Sequence, residues 1–547
     1  MTDHSASETA LKAAALHYHE EPTPGKLSVR VTKPMTTARD LSLAYSPGVA
    51  EACMEIHRDV SNAFRFTGKG NRVAVISNGT AVLGLGNIGA QASKPVMEGK
   101  VALFKKFAEI DGFDIEVNEN DPVKLAEIVI ALEPTFGAVN LEDIKAPECF
   151  EVERICKERM NIPVFHDDQH GTAIVVAAGI INGLKVVDKN IEDVRLVASG
   201  AGAAALACLN LLVGLGLKRE NTFVCDIEGV VYKGRKELMD PYKEPFARET
   251  DKRTLAEVIP DADVFLGLSA AGVLKPEMVA AMAPRPLIFA LANPTPEIMP
   301  EEVQAVRDDA VMASGRTDYP NQINNVLCFP FVFRGALDVG ATQINEDMKK
   351  AAVLALASIA ENEASDIVMA AYGEENLVFG PNYIIPKPFD PRLIFEIAPA
   401  VARAAMESGV ATRAIEDLRA YREKLSAFVY QSGFLMKPVF DQARRTNEAN
   451  QKRLVYAEGE HPYVLQAAQQ VVTEGIARPI LVGETDNIKH WIKHLGLRIR
   501  VGEDVDVFDP ATDPRTPTLV EEYLSLCLLY TSDAADDNRL VERGGGG

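Results

Sequence analysis

The sequence predicts an α/β protein in which two units built on mostly parallel sheets are followed by a partial third. Three observations carry that reading. Short apolar runs at 73–77, 113–117, 136–141 and 162–165 alternate with helical stretches up to about residue 184, the pattern of parallel strands joined by crossover helices. The alternation restarts at 194–198 and continues through 222–226, 264–268, 287–291 and 310–313, a doubly wound arrangement by pattern. Strand-like runs at 453–460 and 479–483 then flank a helical stretch at 463–474 and open a third α/β segment.

Taken in chain order, residues 1–25 form an N-terminal helical segment, because a short helical pattern over 9–18 precedes the break Pro22-Thr23-Pro24-Gly25. Residues 26–184 make the first α/β domain and 185–430 the second. The last part of that second domain, 340–430, is rich in Ala and Glu with helical periodicity, and is expected to cover one of the sheets. A polar run at 444–452 marks 431–452 as an interdomain linker. Residues 453–525 begin an α/β domain that the remaining chain is too short to finish. The segment 526–547 ends in a run of glycine with no packing period and is read as non-native or disordered.

Composition narrows the function classes. The 547 residues suffice for several domains, each with its own core. With 78 acidic against 57 basic residues the formal charge is −21, which repels phosphate backbones and anionic lipid, so nucleic acid and membrane surfaces are poor partners. No apolar run reaches the roughly 18 residues of a membrane span. The seven cysteines are scattered without CxxC spacing, which argues against a zinc site or disulfide framework. No secretory signal is recognisable at the start. A reducing cytoplasm is the expected location.

Two strand ends carry the chemistry. The apolar run ending at Leu141 leads into Glu142-Asp143, and the run ending at Phe165 leads into His166-Asp167-Asp168 and an Ala-rich helix. Glu142, Asp143 and Asp168 are hard oxygen donors suited to one Mg²⁺ or Mn²⁺. Acidic residues at strand ends also cap helices or face water, and that simpler role stands beside the metal reading. His166 and His170 share the second motif, yet the oxygen-rich surroundings disfavour zinc, so both are read as structural or supporting.

Two segments fit a Gly-x-Gly-x-x-Gly/Ala pattern. Gly200-Ala201-Gly202-Ala203-Ala204-Ala205 follows the 194–198 strand and runs without proline into a helix over 203–215, which suits a dinucleotide pyrophosphate at the helix N-terminus. Asp226, at the end of the next strand, is placed to bind ribose hydroxyls. Asp226 favours NAD, Lys233 and Arg235 favour the 2′-phosphate of NADP, and Glu228 opposes it, so these residues leave the choice open. Gly84-Leu85-Gly86-Asn87-Ile88-Gly89 is followed by Pro95, which interrupts a helix, and is expected to be only a tight turn lining a cleft.

Lys100 sits among apolar neighbours that would depress its pKa and make it a usable base, with a surface lysine as the plainer alternative. Tyr45 precedes Ser46-Pro47-Gly48, a turn that can present the phenol into a cleft, or it is a core tyrosine. Asn293 and Asn325 follow apolar strands, where their amides can hold a carboxylate or close Asx turns.

In order along the chain, Tyr45-Ser46-Pro47-Gly48-Val49, Pro95-Val96-Met97-Glu98-Gly99-Lys100, Asn140-Leu141-Glu142-Asp143, the run from His166 to Thr172, Ser199 to Ala203, and Ala292-Asn293-Pro294-Thr295 resemble the motifs of malic enzymes. The resemblance is to the large bacterial type that joins a malic enzyme to a phosphate acetyltransferase-like domain. It covers residues from about 20 to 430 and extends to about 490. It implies a malic enzyme N-terminal domain, a Rossmann-type dinucleotide-binding domain, and oxidative decarboxylation of L-malate to pyruvate and CO₂. By the same resemblance Glu142, Asp143 and Asp168 bind the metal with Asp167 behind them, Lys100 is the general base and Tyr45 the general acid. Ser199, Gly200, Ala201, Gly202, Ala203, Asp226 and Asn293 then bind the dinucleotide, expected to be NADP with NAD as the alternative, and Asn293 and Asn325 contact malate. Many animal relatives carry Arg before the Gly-Leu-Gly turn where this chain has Ala81, so another group must hold that substrate carboxylate. The resemblance also implies a homo-oligomer, with acetyl-CoA regulation lost in the shortened C-terminal domain. A metal-dependent hydroxy-acid dehydrogenase without decarboxylation, and a metabolite sensor that kept the fold, are the rival readings.

Overall fold

The computed structural model describes residues 12–527, apart from 13, 22, 363–376, 430–441, 444, 448–449, 474, 495–496 and 498. The start of the 9–18 helical pattern, most of the expected linker and nearly all of the 526–547 segment lie outside these residues; positions 14–20 are helical. The chain divides into two compact units, Met1–Val429 and Tyr430–Gly547.

The first unit holds two sheets. β1 (Arg72–Ser77), β2 (Asp111–Glu116), β3 (Ala138–Leu141) and β4 (Val164–His166) form a parallel sheet in the order β2-β1-β3-β4. The strands β1, β3 and β4 are buried on both faces, which is why they read as continuous apolar runs rather than as alternating ones. The second sheet has the order β10-β9-β8-β5-β6-β7, with β5 at Leu196–Ser199, β6 at Thr222–Asp226, β7 at Gly229–Val230, β8 at Val264–Gly267, β9 at Leu287–Ala290 and β10 at Val311–Ser314. All its pairs are parallel except β6 with the short β7, a hairpin the sequence pattern did not reveal.

The Asp167–Val186 helix joins the sheets, packing on the Ala203–Gly214 and Glu346–Glu361 helices. Its residues from Ala173 to Ile180 are almost wholly buried, which explains an apolar character around its circumference. The predicted helical cover over 340–430 is formed by the Glu346–Glu361, Arg392–Glu407 and Leu418–Val429 helices. An aromatic knot binds the elements that matter for the site: Phe104 meets Phe329 at 4.8 Å and Phe333 at 5.1 Å, and Phe165 meets Phe333 at 5.5 Å, all edge to face. Each such pair contributes about 0.5–1.5 kcal/mol beyond its buried area. Together they fix the Ala90–Ala108 helix, the end of β4 and the Phe329–Asp338 helix against one another.

Pro95 corrects one expectation. The Ala90–Ala108 helix starts directly after Gly89 and runs through Pro95. Pro95 is the sixth residue of this helix, past the Ser93 N–H to Gly89 carbonyl bond, so it removes one interior bond, a loss that a helix of 19 residues absorbs. The 84–89 segment is still a tight turn, with Gly86 and Gly89 at positive φ and a Val82–Gly86 bridge.

The second unit carries a parallel sheet in the order β11 (Arg453–Tyr456), β12 (Arg478–Val482), β13 (Asp506–Phe508), with helices at Pro462–Thr473, Thr485–His494 and Thr516–Cys527. Leu465, Ala468, Leu481 and Ile488 form its own small core. Cys53, Cys149, Cys156, Cys208, Cys225 and Cys328 are free thiols, and among the described residues no helix is long and apolar enough to cross a membrane.

Candidate active site

Register brings the acidic residues together. In the parallel β3–β4 pair Leu141 stands opposite His166, so the residues leaving the two strands, Glu142-Asp143 and Asp167-Asp168, emerge side by side at one sheet edge. One carboxylate oxygen from each of Glu142, Asp143 and Asp168 lies within 4.8 Å of the others. Asp143 adopts a left-handed backbone (φ 54°), which Asp tolerates better than most residues. That turn aims its N–H at Asp168 Oδ2 (2.8 Å) while its carbonyl accepts from the Ala81 N–H (3.0 Å). Asn140 Nδ2 donates to Glu142 Oε2 at 2.8 Å.

Lys100 reaches into the same cluster from the Ala90–Ala108 helix. Its ammonium is 2.8 Å from Glu142 Oε1, hydrogen-bonds Asp167 Oδ2, and lies 4.1 Å from the centre of the Phe329 ring. Asn325 donates its amide to the same Asp167 oxygen. Burial pulls the Lys100 pKa down, but attraction to Asp167, Glu142 and Asp168 outweighs it, and the net direction is upward. This corrects the expectation of a lysine whose pKa is depressed by apolar surroundings: its closest charged neighbours are carboxylates, and they keep it protonated. Burial also raises Glu142 and pushes Asp167 up to about 8, with Lys100 opposing both shifts.

The charge balance tests whether a cation suits the site. Among the described residues three acids, Glu142, Asp167 and Asp168, bear on the one ammonium of Lys100, an excess of acidic groups over cations in a largely buried place. Buried charge of one sign is costly unless compensated. Asp167 Oδ1 has no hydrogen-bond partner among the described residues. The donors are all hard oxygens, so a divalent Mg²⁺ or Mn²⁺ fits them.

A second cradle lies at the end of β5. Gly200 has φ 112°, and a Cβ there would strike the carbonyl of Leu268, so only glycine lets the chain turn so near the β8 loop. Gly202 caps the Ala203–Gly214 helix with nothing within 4 Å of its own Cβ position, leaving the helix N-terminus open to a phosphate. Ser199 Oγ lies 2.9 Å from Ser269 Oγ. At the end of β6, Asp226 is held by Arg235 through two bonds, Nη1 to Oδ1 at 2.8 Å and Nη2 to Oδ2, and by Lys243 at 3.3 Å. Burial raises the Asp226 pKa, but these partners and the Glu228 N–H bring it below the usual carboxylate value.

Comparison with known proteins matches this geometry to a family. Residues 24–157 match the description "Malic enzyme, N-terminal domain", residues 169–370 "Malic enzyme, NAD binding domain", and residues 434–541 "Phosphate acetyl/butaryl transferase". The NADP-dependent malic enzyme of Haemophilus influenzae is 60% identical over 517 residues, 94% of this chain and 68% of that protein. The chain belongs to the malic enzyme family. As a malic enzyme it is an NAD(P)-binding oxidoreductase. The NAD-dependent malic enzyme of Rhizobium meliloti is also 60% identical, over 94% of this chain and 66% of that protein, so overall similarity does not separate the two dinucleotides. The crystal structure of malic enzyme from Pyrococcus horikoshii superposes with a TM-score of 0.71 at 40% identity, covering 78% of this chain and 98% of that one.

Within this malic enzyme the predicted residues divide. Lys100, Glu142, Asp143, Asp167, Asp168 and Asn325 meet in one cluster, and Ser199 to Ala203 form the turn from β5 into the Ala203–Gly214 helix. Asn293 lies on an exposed loop whose carbonyl would meet a Cβ on Gly84 at 2.9 Å, so the 84–89 turn and the 292–296 loop face each other closely. Tyr45 stands apart. It is 72% exposed, and its phenol makes no hydrogen bond among the described residues.

Sequence reasoning missed Glu297, fully buried, whose carboxylate accepts the Ser269 N–H at 2.8 Å and the Ala292 N–H at 3.0 Å and so ties together the loops after β8 and β9. It also missed Lys243 and Glu153. None of these belongs to a local motif, and no pattern in the sequence marks them.

Proposed function

We propose that this malic enzyme carries out the metal-dependent oxidative decarboxylation of L-malate to pyruvate and CO₂ with reduction of NADP. The observation that carries the reading is the approach of the Glu142, Asp143 and Asp168 oxygens to within 4.8 Å beside the buried Lys100. Glu142, Asp143 and Asp168 would hold a divalent cation, which would supply Lewis-acid polarisation. The 199–203 loop would hold the dinucleotide, which would supply the hydride acceptor.

The chain's own groups move the protons. Lys100 Nζ receives the C2 hydroxyl proton as it passes one of its own to Asp167 Oδ2, along the hydrogen bond they already share. Asn325 holds Asp167 in line for that transfer. Tyr45 returns a proton to C3 after CO₂ leaves, and a second copy of the chain delivers it. Supporting this, the Ala38–Ala44 and Val49–Arg58 helices around Tyr45 bury none of their residues, while Leu41, Leu43, Val49 and Met54 are exposed together with it.

Asp226 supports NADP over NAD. The carboxylate that would accept a ribose 2′-hydroxyl is occupied by Arg235 and Lys243, cations suited to a 2′-phosphate. Initial rates with malate, Mn²⁺ and either NADP⁺ or NAD⁺, with trapping of CO₂, test the whole reading. Stoichiometric CO₂ and NADPH are expected; reduced dinucleotide without CO₂ would instead favour a hydroxy-acid dehydrogenase. Mixing inactive Lys100→Ala and Tyr45→Phe chains tests the shared site, since activity returns only if the two residues act from different copies.

A further inference from the structure

The steps above leave unused a buried acid, Glu153, on the Glu148–Arg159 helix. Its side chain is 9% exposed, and four donors converge on it. Glu153 Oε1 accepts from the His166 backbone N–H at 3.3 Å, from His170 Nε2 at 2.8 Å and from Lys157 Nζ at 2.8 Å, while Oε2 accepts from Gln169 Nε2 at 3.3 Å. Three of these donors belong to the single turn 166–170, the turn that carries Asp167 and Asp168.

That turn lacks the usual means of holding itself. His166 is the N-cap of the Asp167–Val186 helix, yet its side chain caps nothing. The first N–H groups of a helix have no intrahelical acceptors, and a carboxylate beside them is favoured by the helix dipole. Glu153 supplies such a carboxylate from a neighbouring helix. The far side of the turn is braced as well: Lys349 Nζ lies 3.3 Å from His170 Nδ1 and 2.5 Å from Glu346, so Nδ1 accepts and Nε2 donates to Glu153.

We propose that Glu153 is a positioning residue for the metal site: its carboxylate fixes the backbone of the 166–170 turn so that Asp167 and Asp168 meet Lys100, Glu142 and Asp143. The bonds at the side-chain tips, Asp143 N–H to Asp168 and Lys100 and Asn325 to Asp167, set where those carboxylates end, whereas Glu153 sets where they begin. This rests on the metal reading above, and its test separates the two.

The experiment compares the full chain with Glu153→Gln and Glu153→Ala. It reads Mn²⁺ affinity from free Mn²⁺ by electron paramagnetic resonance, NADP⁺ affinity by calorimetry, and amide exchange over 166–170 in metal-free protein. Loss of a group that orients metal ligands typically weakens metal binding about 10- to 100-fold. Glu153→Ala is expected in that range, Glu153→Gln less affected because an acceptor oxygen remains, with faster exchange confined to 166–170 and NADP⁺ affinity within about twofold of the parent. If the alanine variant does not fold, the glutamine variant decides by the same readings. Unchanged Mn²⁺ affinity and unchanged exchange overturn the role of Glu153, as does exchange accelerated throughout the unit with NADP⁺ affinity lost in step. A parent chain that binds no Mn²⁺ overturns the metal reading itself and this assignment with it.

Discussion

Gly171 stands one helical turn beyond Asp167, so close that a Cβ on it would fall on the Asp167 carboxylate. Glycine inside a helix costs about 1 kcal/mol relative to alanine. Here it leaves the space in which Asp167 turns toward Lys100. Gly171→Ala is therefore expected to displace Asp167 and lower turnover by about 10²-fold, the usual scale for a misplacement of about 1 Å. Overpacking of about 1–3 kcal/mol offsets the gain in helix propensity, so the thermal midpoint moves little or falls. Parental turnover in Gly171→Ala would remove Asp167 from the proton path.

Lys100 is the only cation placed between Glu142 and Asp167 among the described residues. Breaking a buried pair costs about 3–5 kcal/mol because the remaining charge is left uncompensated. In metal-free protein Lys100→Ala should melt well below the parent. Mn²⁺ should then raise its midpoint by more than it raises the parent's, since the ion restores the missing positive charge. Turnover should be lost while Mn²⁺ affinity is no weaker. A tenfold loss of Mn²⁺ affinity would mean that Lys100 organises the ligands rather than handling protons.

Why some of this was legible in the sequence and some was not follows from range. Glu142-Asp143 and Asp167-Asp168 were readable because each pair directly follows its strand, and β3 and β4 are neighbours whose register aligns the two exits. Gly200 and Gly202 were readable because the cradle is a local turn. The charge state of Lys100 was not, because its apolar sequence neighbours line one face of a helix while the carboxylates that govern it come from β3 and β4. Pro95 misled because its effect depends on where the helix begins, which is set by the Gly89 turn. The pairing of Arg235 with Asp226 appeared in the sequence as two competing cofactor signals; in the structure they are one ion pair.

That ion pair makes a cofactor prediction. Arg235→Gln removes the bidentate partner of Asp226 and frees the carboxylate for a ribose hydroxyl. Hydrogen bonds to charged groups contribute about 1.5–3 kcal/mol, so the ratio of kcat/KM for NADP⁺ over NAD⁺ should fall about 10- to 100-fold. Most of the change should lie in the NADP⁺ value. An unaltered ratio would show that neither Asp226 nor Arg235 discriminates between the dinucleotides.

Tyr421 provides a test of the helical cover by alkali. It is 6% exposed, and its hydroxyl donates to Asp338 Oδ2 at 2.6 Å, while Arg334 holds the same carboxylate at 2.8 Å. Burial first, then the negative charge of Asp338 and the hydrogen bond to it, raises the phenol well above its ordinary value of about 10. Above about pH 10 the unfolded chain releases this proton while the native chain keeps it, so the native state binds more protons and stability falls as pH rises. The contribution is present in full below about pH 10 and is lost as pH climbs through the native value. Tyr421→Phe, which lacks the phenol, should begin less stable at neutral pH because Asp338 loses a donor. In urea unfolding between about pH 8 and pH 11 its stability should decline more gently than the parent's. Parallel declines would mean that Tyr421 ionises as readily in the native state as in the unfolded chain, and that Asp338 does not hold its proton.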